Sequence, residues 1–329
     1  MDQATRQTKL KAAADLVRTA GGHAQKSEWA EAEAFLVEAH GVWSELPEDE
    51  DKSRLSIGAA IKEGRGQMAL QKNDLEAARA LLAEAFELRS REKAAGGTPN
   101  VLQMAATCLN LSTLSHKLND NVTALDFNTR AQETLAPETQ PAPRIFLAST
   151  YQARATLLNL LGREADALAA YDAGAVIAGA LAAEGVAEGK QLRTEMLVNG
   201  ARGHAKAGRV SDAAQMVEEA AELAWDRFEQ SRHQDKDALS HFVAAVMNLV
   251  GFAEALGAYA RAEDALFKVL RLIGPDPRIV ERGKSFYGAL LALDDTQLEQ
   301  GNLPRDEVEE SYQKLLQIAA QRAPEPARA

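Results

Sequence analysis

Residues 197–220 read LVNGARGHAKAGRVSDAAQMVEEA, with glycines at 200, 203 and 208 around a short basic stretch. A glycine-rich loop that cradles phosphate follows a strand and opens a helix, because bare N–H groups at a helix N-terminus hold the anion. The upstream GKQLRTEM has no alternating β-branched run, and the glycine spacing fits neither GxGxxG nor GxxxxGK[ST]. The second half of the stretch instead recurs along the chain. AGRVSDAAQMVEEA at 207 aligns with KSEWAEAEAFLVEA at 26, KNDLEAARALLAEA at 72, LNDNVTALDFNTRA at 118, LGREADALAAYDAG at 161 and LGAYARAEDALFKV at 256.

The seventh place of each segment is alanine: Ala32, Ala78, Ala124, Ala167, Ala213 and Ala262, at intervals of 46, 46, 43, 46 and 49 residues. Three other columns agree. Five residues before each alanine stand Ser27, Asn73, Asn119, Gly162, Gly208 and Gly257, types suited to a left-handed backbone at a helix end. Twelve before stand Ala20, Gly66, Ser112, Ala155, Ala201 and Val250, and four after stand Leu36, Leu82, Asn128, Tyr171, Val217 and Leu266. Two antiparallel helices joined by a tight turn, crossing where small residues admit close approach, account for all four columns. On this reading Gly200 and Gly203 lie in a helix crowded by its neighbours, and Ser211 caps the helix after the turn.

Polar or Pro/Gly-rich segments separate the hairpins: PEDEDKS at 47, AAGGTPN at 94, APETQPAP at 136, EGVAEGK at 184, SRHQDKD at 231 and GPDPR at 274. They divide residues 1–322 into one repeat domain with units near 3–46, 54–94, 100–136, 144–183, 190–232, 237–273 and 277–322. The last unit is degenerate: LEQGNLPRDEVEESYQKLLQIAAQ supplies its turn and second helix, Pro304 suits the helix start, and Tyr312, Leu315, Leu316 and Ala319 form its apolar face. Residues 323–329 read as a disordered tail.

Composition is consistent with this reading and bounds the function. Hydrophobic residues are 46% of the chain and aromatics 5%, and Ala, Leu, Glu, Gln and Arg dominate the rest, as in an all-helical protein. The net charge of −11 argues against nucleic acid or an anionic membrane as partner. The single cysteine, Cys108, forms no internal disulfide and reads as a packed small hydrophobe. The N-terminus lacks the apolar stretch of a secretory signal, and no 18 apolar residues run uninterrupted, so a cytoplasmic protein without membrane insertion is expected. None of the six histidines makes an HExxH pair or neighbours the cysteine at ligand spacing, so neither metal nor cofactor is implied, and no enzyme motif is present. Asp294 and Asp295 fall inside the first helix of the last unit, with a capping or ion-pair role. Trp29, Trp43 and Trp225 read as packing residues.

Small residues in a first helix, a glycine turn, an aromatic or apolar residue just after it, then small, large and small at fixed spacing resemble the tetratricopeptide repeat. Gly66, Gly162, Trp29, Tyr259, Ala78, Ala85, Ala213, Ala220 and Tyr171 carry the resemblance. The unit of about 46 residues departs from the usual 34, the early tryptophan is absent and the closing proline is mostly missing. The longer-helix variants of kinesin light chains and bacterial regulatory proteins are closer. The resemblance implies an all-α, right-handed superhelical solenoid of about seven hairpins, with first helices lining a concave groove that grips proteins or peptides without catalysis.

Fourteen residues before the alanine column stand Arg18, Gly64, Asn110, Ala153, Asn199 and Asn248. The resemblance implies that asparagines here hold a peptide backbone. Positions three and seven further along share their helical face, adding Thr113 and Lys117 beside Asn110, and Arg202 and Lys206 beside Asn199. Such a stripe favours a partner with an acidic or carboxylate group, although helix surfaces carry these residue types in any case. A peptide-binding scaffold is the reading favoured; a regulator whose solenoid senses a small peptide or metabolite stands second, and an enzyme with an unrecognised site in the groove third.

Overall fold

The turn is the part of the repeat most tightly dictated by local chemistry, and it forms six times. Ser27, Asn73, Asn119, Gly162, Gly208 and Gly257 all have positive φ, between 57° and 82°. In each case the N–H of the next residue donates to the carbonyl five positions earlier, as in Asp74 to Ala69 and Arg209 to His204, at 2.8–3.0 Å. That is the Schellman closure, which satisfies carbonyls a helix end leaves bare. The donor residue then becomes the N-cap of the following helix, so the chain reverses within a few residues.

The computed structural model describes residues 1–320. Among the described residues there are fifteen helices and no strand. The first hairpin is α1 (Gln3–Gln25) and α2 (Trp29–Ser44), followed by α3 (Lys52–Gln71) with α4 (Leu75–Ala94) and α5 (Val101–Lys117) with α6 (Asn121–Leu135). Then come α7 (Pro141–Leu160), α8 (Glu164–Ala183), α9 (Ala187–Lys206) with α10 (Val210–Gln230), and α11 (Lys236–Ala255) with α12 (Tyr259–Ile273). The chain closes with α13 (Pro277–Leu290), α14 (Asp295–Gln300) and α15 (Arg305–Ala320). Residues 321–329, with the expected tail and the last two residues of the seventh unit, lie outside the described residues. Two compact units divide the chain at Ala167 and Leu168. In the first, α1, α3 and α5 pack on α2, α4 and α6, and each hairpin packs on the next; in the second, α9 packs on α10, α10 on α11, α11 on α12 and α13 on α15.

The alanine column is enclosed throughout, each member at most 1% exposed. The small residues twelve places earlier are buried as well. A Cβ on Gly66 would stand 2.9 Å from Leu82 Cγ, and one on Gly203 would stand 2.3 Å from Leu168 Cδ2, so these glycines are set by close packing. The one polar member of the large-residue column, Asn128, is wholly buried and donates from Nδ2 to the Thr150 carbonyl at 3.1 Å. Cys108 is fully buried among Met104, Leu111 and Phe86, and burial pushes its thiol up to about 12.

Three local expectations need correction. Ser211 does not cap α10; Arg209, the residue that closes the Schellman turn, takes the N-cap position, and Ser211 is an exposed residue inside the helix. Asp294 and Asp295 do not lie inside a long helix, because the seventh unit is broken after α13. Asp294 opens α14 through a reciprocal capping box with Gln297, and exposed Asp295 pairs with Arg305. The turn after α14 repeats the six earlier ones, with Asn302 at φ 55°. Trp29 is not enclosed; it stays 37% exposed at the start of α2. The apolar face of α15 seats Leu315, fully buried, and packs Tyr312 against Tyr287 with the rings tilted and their centroids 5.7 Å apart.

By length and composition α8 and α11 are apolar enough to cross a membrane. In α11 the apolar residues are used within the second unit, where Phe242, Ala245, Val246 and Val250 are buried and the helix packs against both α10 and α12.

Candidate functional site

Within the first unit, α1, α3 and α5 leave a cavity of about 570 Å³ between them. Its floor is built from short or aliphatic side chains: Ala20 and Ala24 of α1, Leu36 of α2, Ala60 and Met68 of α3, and Leu82 of α4. Two glycines create the space. Gly64 on α3 lets the Leu36 side chain lie across the helix, where a Cβ would come within 2.8 Å of it. Gly21 on α1 faces open space, with nothing within 4 Å of where its Cβ would stand. Half-exposed Trp29 closes one side.

The polar lining comes from stripes on α3 and α5, with Gln25 at the end of α1. Gly64 and Gln67 on α3, and Gln103, Ala106 and Asn110 on α5, stand at the column position or one or two turns from it. Glu63, one residue before Gly64, joins them. It receives the Arg89 guanidinium at 3.3 Å, the Gln103 amide, and the Thr107 hydroxyl at a long 3.4 Å. Arg89 also donates to Glu92 at 3.1 Å and to the Ser56 hydroxyl at 3.0 Å. The side chains of Glu63, Arg89 and Glu92 are only 13%, 8% and 9% exposed. A charged group of this kind persists in a protein interior only when paired and hydrogen-bonded. The neighbouring cations of α3 serve another side: Lys62 pairs with Glu84, and burial, then Arg65 and Lys62, hold His40 on α2 below the ordinary imidazole value.

Asn110 is therefore placed at the cavity, half-buried. Thr113 and Lys117, one and two turns on, are exposed and are not among the lining residues. Asn199, Arg202, Lys206 and Asn248 belong to the second unit. Arg202 and Lys206 are exposed, Asn199 is half-buried, and the Asn248 Nδ2 is enclosed without a hydrogen-bond partner among the described residues. The stripes of α9 and α11 face each other, for Glu195, four before Asn199, comes within 3.9 Å of His241, seven before Asn248. Gln191 donates to the same carboxylate at 3.0 Å. The basic character expected beside the asparagines is thus absent from the cavity, whose lining contains no lysine or arginine. Among the described residues no three His, Cys, Asp or Glu side chains gather as a metal-binding group.

Trp29, Glu63, Gln67 and Gln103 are among the lining residues that reading by column missed. Gln67 and Gln103 were reachable, since they lie three after and seven before column members. Glu63 was not, because its role depends on Arg89, twenty-six residues away on another helix.

A family of unknown function (DUF6483) matches residues 191–320. No curated protein matches the chain. Among solved structures, the fold is similar to BtubC (BKLC) from P. vanneervenii, 14% identical over 89% of this chain and 94% of that one, TM-score 0.51. It is also similar to the apo form of RapI, 12% identical over 94% of this chain and 98% of that one, TM-score 0.54. A weaker likeness, at TM-score 0.42 and 17% identity over 66% of this chain and 90% of the other, is to YrrB, described as a TPR protein with an unusual peptide-binding site. The first two likenesses speak to fold: the chain is built of tetratricopeptide-like helix hairpins with long units.

Proposed function

We propose that the protein is a non-catalytic peptide-binding module whose contact surface is formed by the first helices of its hairpins. The observation that carries this is the cavity between α1, α3 and α5, an apolar floor with a few convergent amides, which is the usual make-up and size of a ligand site. An extended peptide leaves its N–H and C=O groups unpaired, and Gln67, Gln103 and Asn110 present side-chain groups of both kinds. In the second unit Asn199 would offer a further amide, and Asn248, whose Nδ2 is enclosed, would join it by turning its side chain outward. Arg202, Lys206, Thr113 and Lys117 would act at the exposed flanks, where an acidic partner group gains modestly from them.

The test is affinity capture from a lysate of the source cells, with bound proteins identified by mass spectrometry and their contact segments remade as peptides. The variant with Asn110, Asn199 and Asn248 all changed to alanine should keep its melting temperature and lose binding of those peptides. Undiminished binding by the triple variant would overturn the reading.

A further inference from the structure

The cavity's electrostatics identify the end of the peptide it fits. One guanidinium, Arg89, faces two carboxylates, Glu63 and Glu92, so the buried group carries one negative charge in excess. Glu63 is the only charged residue that lines the cavity. Its Oε2 takes both Arg89 and Gln103, whereas among the described residues Oε1 has only the long contact from Thr107. A carboxylate has about four lone-pair sites, so Oε1 retains accepting capacity on the cavity side. A partly desolvated anion with spare capacity favours a cation and disfavours another carboxylate.

The apolar floor begins within one helical turn of this carboxylate, since Ala60 and Gly64 flank Glu63 on α3. A ligand must therefore carry its positive group and its apolar group almost side by side. A lysine side chain separates its ammonium from the backbone by four methylenes, whereas the α-ammonium of a chain terminus is attached to the carbon that bears the side chain. We infer that the cavity receives the free N-terminus of a peptide beginning with a bulky apolar residue. The ammonium sits against Glu63 Oε1, with the side-chain carbonyls of Gln67 and Asn110 available to its other two N–H groups, and the first side chain fills the floor under Trp29. This inference rests on the peptide-binding reading above and narrows it.

The experiment is calorimetric titration of the full chain with Phe-Ala-Ala-amide, its N-acetylated form, and phenethylamine. The free tripeptide should bind at least tenfold more tightly than the acetylated one. Glu63→Gln should remove that difference. Gly21→Leu projects a side chain into open cavity and should abolish binding of all probes, while its melting temperature holds or rises because glycine is a poor helix residue. If Glu63→Gln fails to fold, the wild-type ratio and Gly21→Leu decide the matter. Phenethylamine should bind more weakly than the tripeptide; binding as tightly would overturn the assignment to a peptide N-terminus, since the peptide groups would then contribute nothing. Equal binding of free and acetylated peptide, binding that survives in Gly21→Leu, or no binding of any probe would overturn the inference. A captured protein that needs the three asparagines while every probe fails would leave the peptide-binding reading standing and remove only this one.

Discussion

Replacing Ala213 by leucine tests the register of the whole repeat. Ala213 is 0% exposed on α10, as is Ala201 on the facing helix α9, and Val217 and Met196 beside them are also at 0%. Three added carbons have no void to enter, so side chains or the helix pair must shift, at a cost of roughly 1–3 kcal/mol. The second unit is of a size for which 1 kcal/mol moves the melting temperature by about 2–4 °C, giving a fall of roughly 2–12 °C. The control must be chosen with care. Glu219 is half-buried and bonded to Arg193, so its replacement removes an ion pair; Glu222 is exposed on the same helix and is the better site. Glu222→Leu should stay within about 0.5 kcal/mol of wild type. The assay is thermal and urea unfolding followed by the far-ultraviolet circular dichroism of the helices, analysed as a two-state transition. If Ala213→Leu and Glu222→Leu melt alike, the alanine column is not where the helices meet.

Gly208→Ala places a side chain at φ 82° and should cost about 1–2 kcal/mol, read by the same melts, whereas Asn73→Gly, at φ 57°, should leave stability nearly unchanged. Arg89→Ala strands two buried carboxylates and should cost about 3–5 kcal/mol in urea unfolding. Cys108 should resist a thiol reagent at pH 8 in the native state and react at once in denaturant, since burial keeps it protonated. Its raised value means the folded chain holds this proton more tightly. The contribution to stability is complete below the unfolded thiol's ordinary value near 9 and is lost as pH rises from there toward about 12. Cys108→Ala should lack that part of the alkaline decline, about 1.4 kcal/mol per pH unit over the interval, in urea unfolding at stepped pH.

The hairpin was legible in the sequence because its determinants are close together. A left-handed residue, an alanine five places on and a small residue seven places back lie within one turn and its two flanking helices, so a 14-residue window shows them. The break in the last unit was legible too, in the D-x-x-Q of Asp294 and Gln297, but a helical pattern on both sides masked it. The cavity was only half legible. Asn110 and Gly64 fell on one column, yet which neighbours of that column point inward depends on how α3 and α5 are set in height. The sequence carries no local mark of the Arg89 group that links them. Lys117 shares a helical face with Asn110 but stands two turns beyond it and does not line the cavity.

The uneven spacing of the alanines has a simple origin in helix lengths. The interval of 43 residues contains α6, 15 residues long, and the interval of 49 contains α10, 21 residues long. The whole six-residue difference thus sits in the second helix, while the turn and the five residues after it never vary. At 1.5 Å per residue α10 runs about 9 Å further than α6 from its turn. Each hairpin therefore has one fixed end, where its closed turn lies, and one free end, where growth and loss of whole helical turns leave the crossing point undisturbed. A hairpin can lengthen at that free end without re-solving the packing at its turn, and an inserted epitope belongs there too.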